Sequence, residues 1–345
     1  MSLITTNVTH DATKRLPRGI SLPAITLSEV MSTHVVATDF GGPEVLKLVE
    51  YDRPAPGAGE VSVQVRAAAV NPADHKQYSG RFGNDRSDLP IALGREAAGV
   101  VTAVGAGATG PRGPVSVGDE VITYRAFGAY ADEFVVPADA TIPKPDALGW
   151  EEASGLLLGG VTAVHAISVV DPEDGDTVLI HSGAGSVGAA AVQLATARGA
   201  RVIATASQRN HDFLRELHAE PVAYGPGLAE RVRELAPSGV DAAIDLYGDD
   251  DAVDASLALV EDRSRLVTVA AFGRARAEGF PALGGGPGAD PGTELRKAAR
   301  LDLADLAESG KLQVFVDTTY PLSEVRAAHE RSIAGHVRGK IVLLP

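Results

Sequence analysis

The segment of this chain best equipped for chemistry is Gly183-Ala184-Gly185-Ser186-Val187-Gly188, which follows the apolar run Thr177–His181 and opens the Ala-rich residues 186–198. A G-x-G-x-x-G at a strand-to-helix junction answers three demands: a tight turn, close backbone approach to a pyrophosphate, and close packing of helix on sheet. The helix that follows presents its unpaired N–H groups, from Ser186 and Val187 onward, and the positive end of its dipole to phosphates. An ordinary tight turn is the alternative, but the motif sits inside repeating strand–helix units, which favours a dinucleotide site. The next strand, at 201–206, ends in Ser207-Gln208-Arg209-Asn210, and the first acid after it is Asp212. A binder of NAD would place a carboxylate there for the ribose hydroxyls. Ser207 and the planar fork of Arg209 suit a 2′-phosphate instead. Both predict NADPH, although Ser207 as a helix N-cap beside a solvated Arg209 would read the same way.

What the chain lacks narrows the chemistry further. It has no cysteine among 345 residues, so disulfides, thiolate nucleophiles and zinc sites with a Cys ligand are excluded, and a reducing, cytoplasmic setting is expected. Nine histidines are present without metal-ligand spacing, and no metal is expected. Asp249-Asp250-Asp251 reads as a helix cap, not an ion site. The formal net charge is −14 and no Lys/Arg-rich run stands out, which argues against nucleic acid and membrane surfaces as partners. No run of about 20 apolar residues is present to span a bilayer.

These residues need elements to hold them. From Val35 to about Pro145 short alternating runs, such as Val61-Ser62-Val63-Gln64-Val65 and Gly99-Val100-Val101-Thr102-Ala103-Val104, are punctuated by Gly and Pro. Period-two alternation with turn signals predicts an antiparallel, barrel-like β domain. After Trp150 the pattern becomes helical, and from Thr177 strands alternate with helices. Strands are expected at Thr177–His181, 201–206, 221–224, 240–246 and 265–270, with helices at 186–198, 208–218, Leu228–Leu235 and 251–260. That alternation implies a parallel sheet with right-handed crossovers. Tyr247, with Gly248, and Ala271-Phe272-Gly273 then end strands on the edge where open α/β sheets bind ligands, though Phe272 could equally fill core. After a Gly/Pro-rich stretch at 279–292, a helix (294–309), a strand (312–316), another helix and the strand Lys340–Leu344 are expected to return to the first domain. Residues 1–30 lack the apolar core of a secretory signal. They read as a functionless N-terminal extension.

Together these features resemble the medium-chain dehydrogenase/reductase family, in its zinc-free quinone-oxidoreductase-like branch. The resemblance covers about residues 33–345. It rests on Asn71-Pro72-Ala73-Asp74, Gly94-x-Glu96-x-x-Gly99, Gly118-Asp119-x-Val121, Gly128-Ala129-Tyr130-Ala131, Gly160-Val161-Thr162-Ala163, the phosphate loop and the closing Gly335-His336-Val337-Arg338-Gly339-Lys340. It implies an α/β fold: a GroES-like domain over 31–154, a Rossmann NADPH-binding domain over 155–290, and a return of 291–345 to the first. Zinc-dependent relatives carry Gly-His-Glu where this chain has Gly94-Arg95-Glu96, and an arginine, always protonated, cannot ligate zinc. Hydride transfer to an acceptor already activated by conjugation, a quinone, enone or enal, is the implied reaction. The resemblance also assigns residues. Asn71, Asp74 and Lys76 flank the nicotinamide, with Lys76 stabilising charge on the substrate oxygen and Asp74 orienting Lys76. A surface ion pair beside an Asn-Pro turn is the alternative for these two. Thr162 stands near the nicotinamide or merely packs a helix, Tyr224 meets the adenosine phosphate edge, and Arg338 is grouped with the cofactor contacts.

Two further readings stay open. An enoyl-thioester reductase shares the family, with the want of a basic patch for a phosphopantetheine carrier against it; an NADPH-binding sensor with little turnover is the other. In relatives the segment after Phe272-Gly273 supplies a strand to a homodimer. Here 279–288 is too rich in Gly and Pro for a regular strand, so the dimer is left open.

Overall fold

The computed structural model describes residues 32–345, so the reading of residues 1–30 lies outside the described residues. Alternation in the first half produces a curled, mostly antiparallel sheet, to which Val316–Pro321 adds parallel to Lys340–Leu344. Its strands run in the order Thr141–Pro143, Glu120–Tyr124, Glu96–Val104, Glu60–Val70, Lys340–Leu344 and Val316–Pro321, with Glu133–Pro137 also paired to Glu60–Val70. The long Glu60–Val70 strand pairs with Glu96–Val104 along one edge and with Glu133–Pro137 and Lys340–Leu344 along the other, and its register against Glu96–Val104 shifts at Ser62/Val63 and again at Val65/Ala67. Each bulge bends and twists the strand. Val61, Val63, Val65, Tyr130, Phe134 and Leu343 fill the interior. A smaller sheet pairs Ser32–Ala37 with Leu46–Tyr51 and with Ile91–Ala92.

The second half forms a five-stranded parallel sheet, in the order Glu220–Val222, Arg201–Thr205, Thr177–His181, Ala242–Asp245, Leu266–Thr268. Chain order reverses around Thr177–His181. That strand's carboxyl end is therefore a topological switch point, where such sheets bind ligands. Helix Leu156–Val170 packs across one face beside helices Ser186–Ala197 and Thr293–Glu308. Gly160 is needed there, since a Cβ would sit 2.9 Å from a methyl of Leu303.

The C-terminal strand returns to the first sheet, pairing Ile341, Val342 and Leu343 antiparallel with Val70, Ala69 and Ala68. Two expected elements differ. The strand expected at 312–316 begins only at Val316 and runs to Pro321, because the apolar side chains before it serve packing instead: Leu312 is buried and Phe315 stands edge-on to Phe213 at 4.8 Å. Residues after Ala271 turn at once into the short helix Phe272–Glu278. In the Gly/Pro-rich stretch only the isolated bridges Thr268–Ala282 and Leu283–Asp290 form.

Candidate functional site

One cleft of about 670 Å³ runs from the switch point to the first sheet. That is within the usual range for a small-molecule site. At its floor lies the glycine loop, and each glycine has a different reason. A Cβ on Gly183 would meet Ala204 Cβ at 2.7 Å. One on Gly188 would run into the Ser182 carbonyl and the Gly183 Cα. Gly185 differs: nothing in the protein lies closer than 3.5 Å to a Cβ built there. Its side facing the cleft is kept open by the residue type, as close approach of a pyrophosphate requires. Ser186 and Val187, at the start of helix Ser186–Ala197, line the cleft above it. The C-terminal segment closes over the loop through Gly339 N–H, which donates to the Ala184 carbonyl at 2.9 Å.

Beyond the Arg201–Thr205 strand stand Ser207, Asn210, Tyr224 and His336. The hydroxyl of Ser207 is buried and has no hydrogen-bond partner, and it does not cap the helical turn that follows. A buried orphan donor at a cleft wall calls for a ligand or water. Arg209 is exposed and lies outside the cleft lining, donating to the carbonyl of the lining residue His336 at 2.7 Å; His336 also pairs with the Tyr224 hydroxyl at 3.2 Å.

The later strand ends are organised by two residues that sequence reading missed, Asp245 and Thr268, both fully buried. Asp245 accepts from the backbone N–H of Tyr247 (3.0 Å) and Gly248 (2.8 Å) and from the Thr268 hydroxyl (2.6 Å). The Thr268 hydroxyl in turn accepts from the N–H of Ala271 at 2.9 Å. Tyr247 and Phe272 line the cleft; Ala271 is buried behind it and Gly273 stands off it. Arg338 lies outside the cleft, exposed, with its guanidinium 5.4 Å from the Phe213 ring centroid.

The opposite end is built from the first sheet. Lys76 lines it, and burial, with Arg81 adding to it, lowers its pKa. Thr162 lines it as well, its hydroxyl donating to the Leu158 carbonyl at 2.8 Å and keeping acceptor capacity free. Asn71 and Asp74 are placed differently. Both are buried behind the wall. Asp74 does not orient Lys76, because residues two apart on a helix do not face one another. Its carboxylate accepts from the Tyr130 hydroxyl (2.8 Å) and the Asn71 N–H (2.9 Å), and lies 3.4 Å from Arg95 Nε. Burial, only partly offset by Arg95 and Tyr130, raises its pKa to about 6. Asn71 belongs to a buried stitch: its side chain donates to Glu96 at 3.0 Å and accepts from Lys340, which donates to Glu96 at 2.6 Å.

Arg95 occupies the position of the zinc-ligating His. Its guanidinium lines the cleft, donates to Gln77 at 3.0 Å and stacks on Phe127 (5.1 Å) and Phe82 (5.9 Å). The expectation that no basic patch exists is corrected here. Lys76, Arg81, Arg95, Arg125 and Arg296 all line this cleft, against two acids, Asp249 and Asp251. They come from segments spread over more than two hundred residues, so no sequence window could show them together. The Gly/Pro-rich stretch also contributes, through Leu283, Gly284 and Gly285.

Known proteins place this arrangement. Residues 57–146 match the family model described as alcohol dehydrogenase GroES-like domain, and residues 217–343 the one described as zinc-binding dehydrogenase. A quinone oxidoreductase of Pseudomonas aeruginosa is 30% identical over 335 residues, 91% of this chain and 100% of that protein. The synaptic vesicle membrane protein VAT-1 homolog of Rattus norvegicus is 36% identical over 224 residues, 63% of this chain. The match spans only 54% of that protein, so the chain covers about half the length of such curated relatives. Among solved structures, a mycobacterial protein complexed with NADPH superimposes with a TM-score of 0.80 at 34% identity, covering 91% of this chain and 100% of that one. Despite the second model's description, Arg95 replaces the metal-ligating His, cysteine is absent, and no group of three or more His, Asp or Glu among the described residues could hold a metal. The chain belongs to the medium-chain dehydrogenase/reductase superfamily, in its zinc-free, quinone-oxidoreductase-like branch, with a GroES-like and a Rossmann-like part.

Proposed function

We propose that this chain is an NADPH-dependent reductase of quinones and other α,β-unsaturated carbonyls. The observation that carries the reading is continuity: a dinucleotide-type glycine loop at a switch point opens into the same cleft as Lys76 and Arg95. The NADPH complex of the mycobacterial relative supports it. NADPH bound here would supply a hydride. The loop and the Ser186–Ala197 helix would hold the pyrophosphate, and Ser207, Arg209 and Tyr224 the 2′-phosphate. Asp245 and Thr268 fix the turns that carry Tyr247 and Phe272 against the cofactor. Lys76 and Arg95 would stabilise the negative charge that builds on the acceptor oxygen, the task a metal performs in zinc-dependent relatives. Asn71 and Asp74 act as positioning residues, Asp74 through Arg95. The division into 31–154, 155–290 and 291–345 belongs to the same reading.

The test follows NADPH oxidation by purified protein with a small naphthoquinone and a simple enone. Lys76→Ala is expected to lower kcat by about 10²-fold, the scale of one lost charge-stabilising donor. NADPH affinity should change by less than about threefold, since the phosphate contacts lie elsewhere. Unchanged turnover would remove Lys76 from the mechanism. Tight NADPH binding without oxidation by either acceptor would overturn the reductase reading in favour of a sensor.

A further inference from the structure

The chain as a whole is acidic, with 31 Lys and Arg against 45 Asp and Glu, yet the cleft lining reverses that balance to five against two. Three features show that the cations at the sheet end are held there for a ligand. First, Arg95 and Arg125 lie directly beyond the strand ends where Glu96 faces Tyr124, and both line the cleft there. Second, Arg125 adopts φ +58°, a left-handed conformation unfavourable for a residue with a Cβ.

Third, Arg296 is aimed into the cleft by a relay. Asp290 accepts from Gly292 N–H (2.8 Å) and faces His165 Nε2 (3.2 Å); His165 Nδ1 accepts from Arg296 Nε at 3.1 Å. A Cβ on Gly292 would collide with the His165 ring, so the glycine makes room for the relay. The relay leaves Arg296 Nη2 buried with no hydrogen-bond partner. Burial lowers the Arg296 pKa, with Arg125 adding to the lowering and Tyr124 and Asp290 only partly offsetting it. Neither Arg125 nor Arg296 has a carboxylate within 4.0 Å among the described residues, while Arg95 has only the 3.4 Å contact with Asp74.

We infer that the acceptor carries an anionic group, a carboxylate a few atoms from its reacting double bond, bound by Arg125 and Arg296 beside Arg95. This rests on the reductase reading and names its substrate class. In the reaction the double bond takes up one hydride and one proton, giving the saturated keto acid and NADP+. Because these cations line the sheet end of the cleft together with Lys76, a compact keto acid reaches them with its carboxylate, whereas the phosphates of a coenzyme A thioester hang far from the alkene.

The experiment compares (E)-4-oxopent-2-enoate with its methyl ester at saturating NADPH and low ionic strength. The ester is intrinsically the better electrophile, so any preference for the acid must come from the protein. The acid is expected to have a kcat/KM at least about tenfold higher, with the advantage shrinking as salt is raised. Arg125→Gln and Arg296→Gln should each lower kcat/KM for the acid about tenfold and leave the ester within about twofold. Lysine at position 296 (Arg296→Lys) should restore part of the loss. Equal or better use of the ester, or equal losses on both substrates, overturns the inference. So does a crotonyl-coenzyme A rate above that of the acid. If neither acceptor oxidises NADPH, the reductase reading fails. The anion site is then decided by whether the acid quenches bound NADPH fluorescence at about tenfold lower concentration than the ester, which supports it, or not, which overturns it.

Discussion

The buried stitch beneath the cleft offers the most quantitative test of how the two halves are joined. Lys340 and Glu96 are each 1% exposed, and Lys340 donates to Glu96 at 2.6 Å and to Asn71. The second Glu96 oxygen accepts from Leu158 N–H at 2.7 Å. Four segments therefore meet on one ion pair: the C-terminal strand, the Glu96–Val104 strand, the turn before helix Pro72–Tyr78, and helix Leu156–Val170. Lys340→Met keeps the stem, which packs on Gly155, and removes only the charge. It leaves Glu96 buried with the neutral donors Asn71 and Leu158 N–H alone. The cost expected is about 3–5 kcal/mol, the range for breaking a buried pair from one side. Glu96→Gln together with Lys340→Met leaves no charge behind, and the amide oxygen introduced at position 96 can still accept from Leu158 N–H. The double variant should lose only about 1–2 kcal/mol, less than the Lys340→Met single variant alone. Urea unfolding at pH 7, followed by circular dichroism, measures all three proteins. A single variant within about 1 kcal/mol of the parent, or a double variant no more stable than the single one, would refute the claim that this pair is desolvated and mutually dependent.

Other outcomes follow from the same geometry. Gly188→Ala should destabilise the fold by about 2 kcal/mol, because its Cβ has no space against the Ser182 carbonyl, whereas Gly185→Ala should leave stability within about 0.5 kcal/mol and weaken NADPH about tenfold or more; thermal melts and fluorescence titration separate them, and the reverse pattern would sink the division of roles. Arg209→Ala is expected to weaken NADPH by about tenfold and leave NADH within about twofold; equal losses would remove it from the 2′-phosphate site. Burial, with His75 adding to it, lowers the pKa of His329 to about 3, against about 6.5 when unfolded. Its stabilising contribution is complete above about pH 6.5 and is lost as pH falls toward 3. The parent should thus lose about 3 kcal/mol more than His329→Gln between pH 7 and 4, and parallel pH–stability curves would contradict it.

Local motifs were legible because their chemistry is local. The glycine loop, the missing acid after Ala206 and the Arg95 substitution each lie within a few residues, and the loop's spacing constrains the backbone directly. Strand–helix alternation gave the parallel sheet because its helices bury one face each. Contacts made by folding were not legible. Asp74 and Lys76 share a hexapeptide that suggests a pair, yet helix geometry sends one inward to Tyr130 and the other to the cleft. Arg338 sits in a motif that closes over the phosphate loop, but it is Gly339, with no side chain, that makes the approach. Apolar residues at 312–315 look like a strand because burial, not pairing, selects them.

The cation wall explains how a site can do without a metal in a chain of such negative charge. A metal ion concentrates two charges at one point and must be held by several ligands; guanidinium groups spread theirs and need only be oriented. Here orientation comes from groups that leave most of the charge unspent: aromatic faces for Arg95, a histidine relay for Arg296. Carboxylates would hold an arginine more firmly, but they would also neutralise it. The one carboxylate admitted beside Arg95 is Asp74. It is fully buried, its pKa is raised to about 6, and one of its oxygens has no hydrogen-bond partner. Near neutral pH it stays largely ionised and offsets one guanidinium, that of Arg95, and no carboxylate lies within 4.0 Å of Arg125 or Arg296 among the described residues. Only Asp249 and Asp251 of all the acids among the described residues reach the cleft lining, and Asp249 is engaged as the cap of helix Asp250–Leu259. The positive potential left over is available to whatever negative charge the bound acceptor brings or develops.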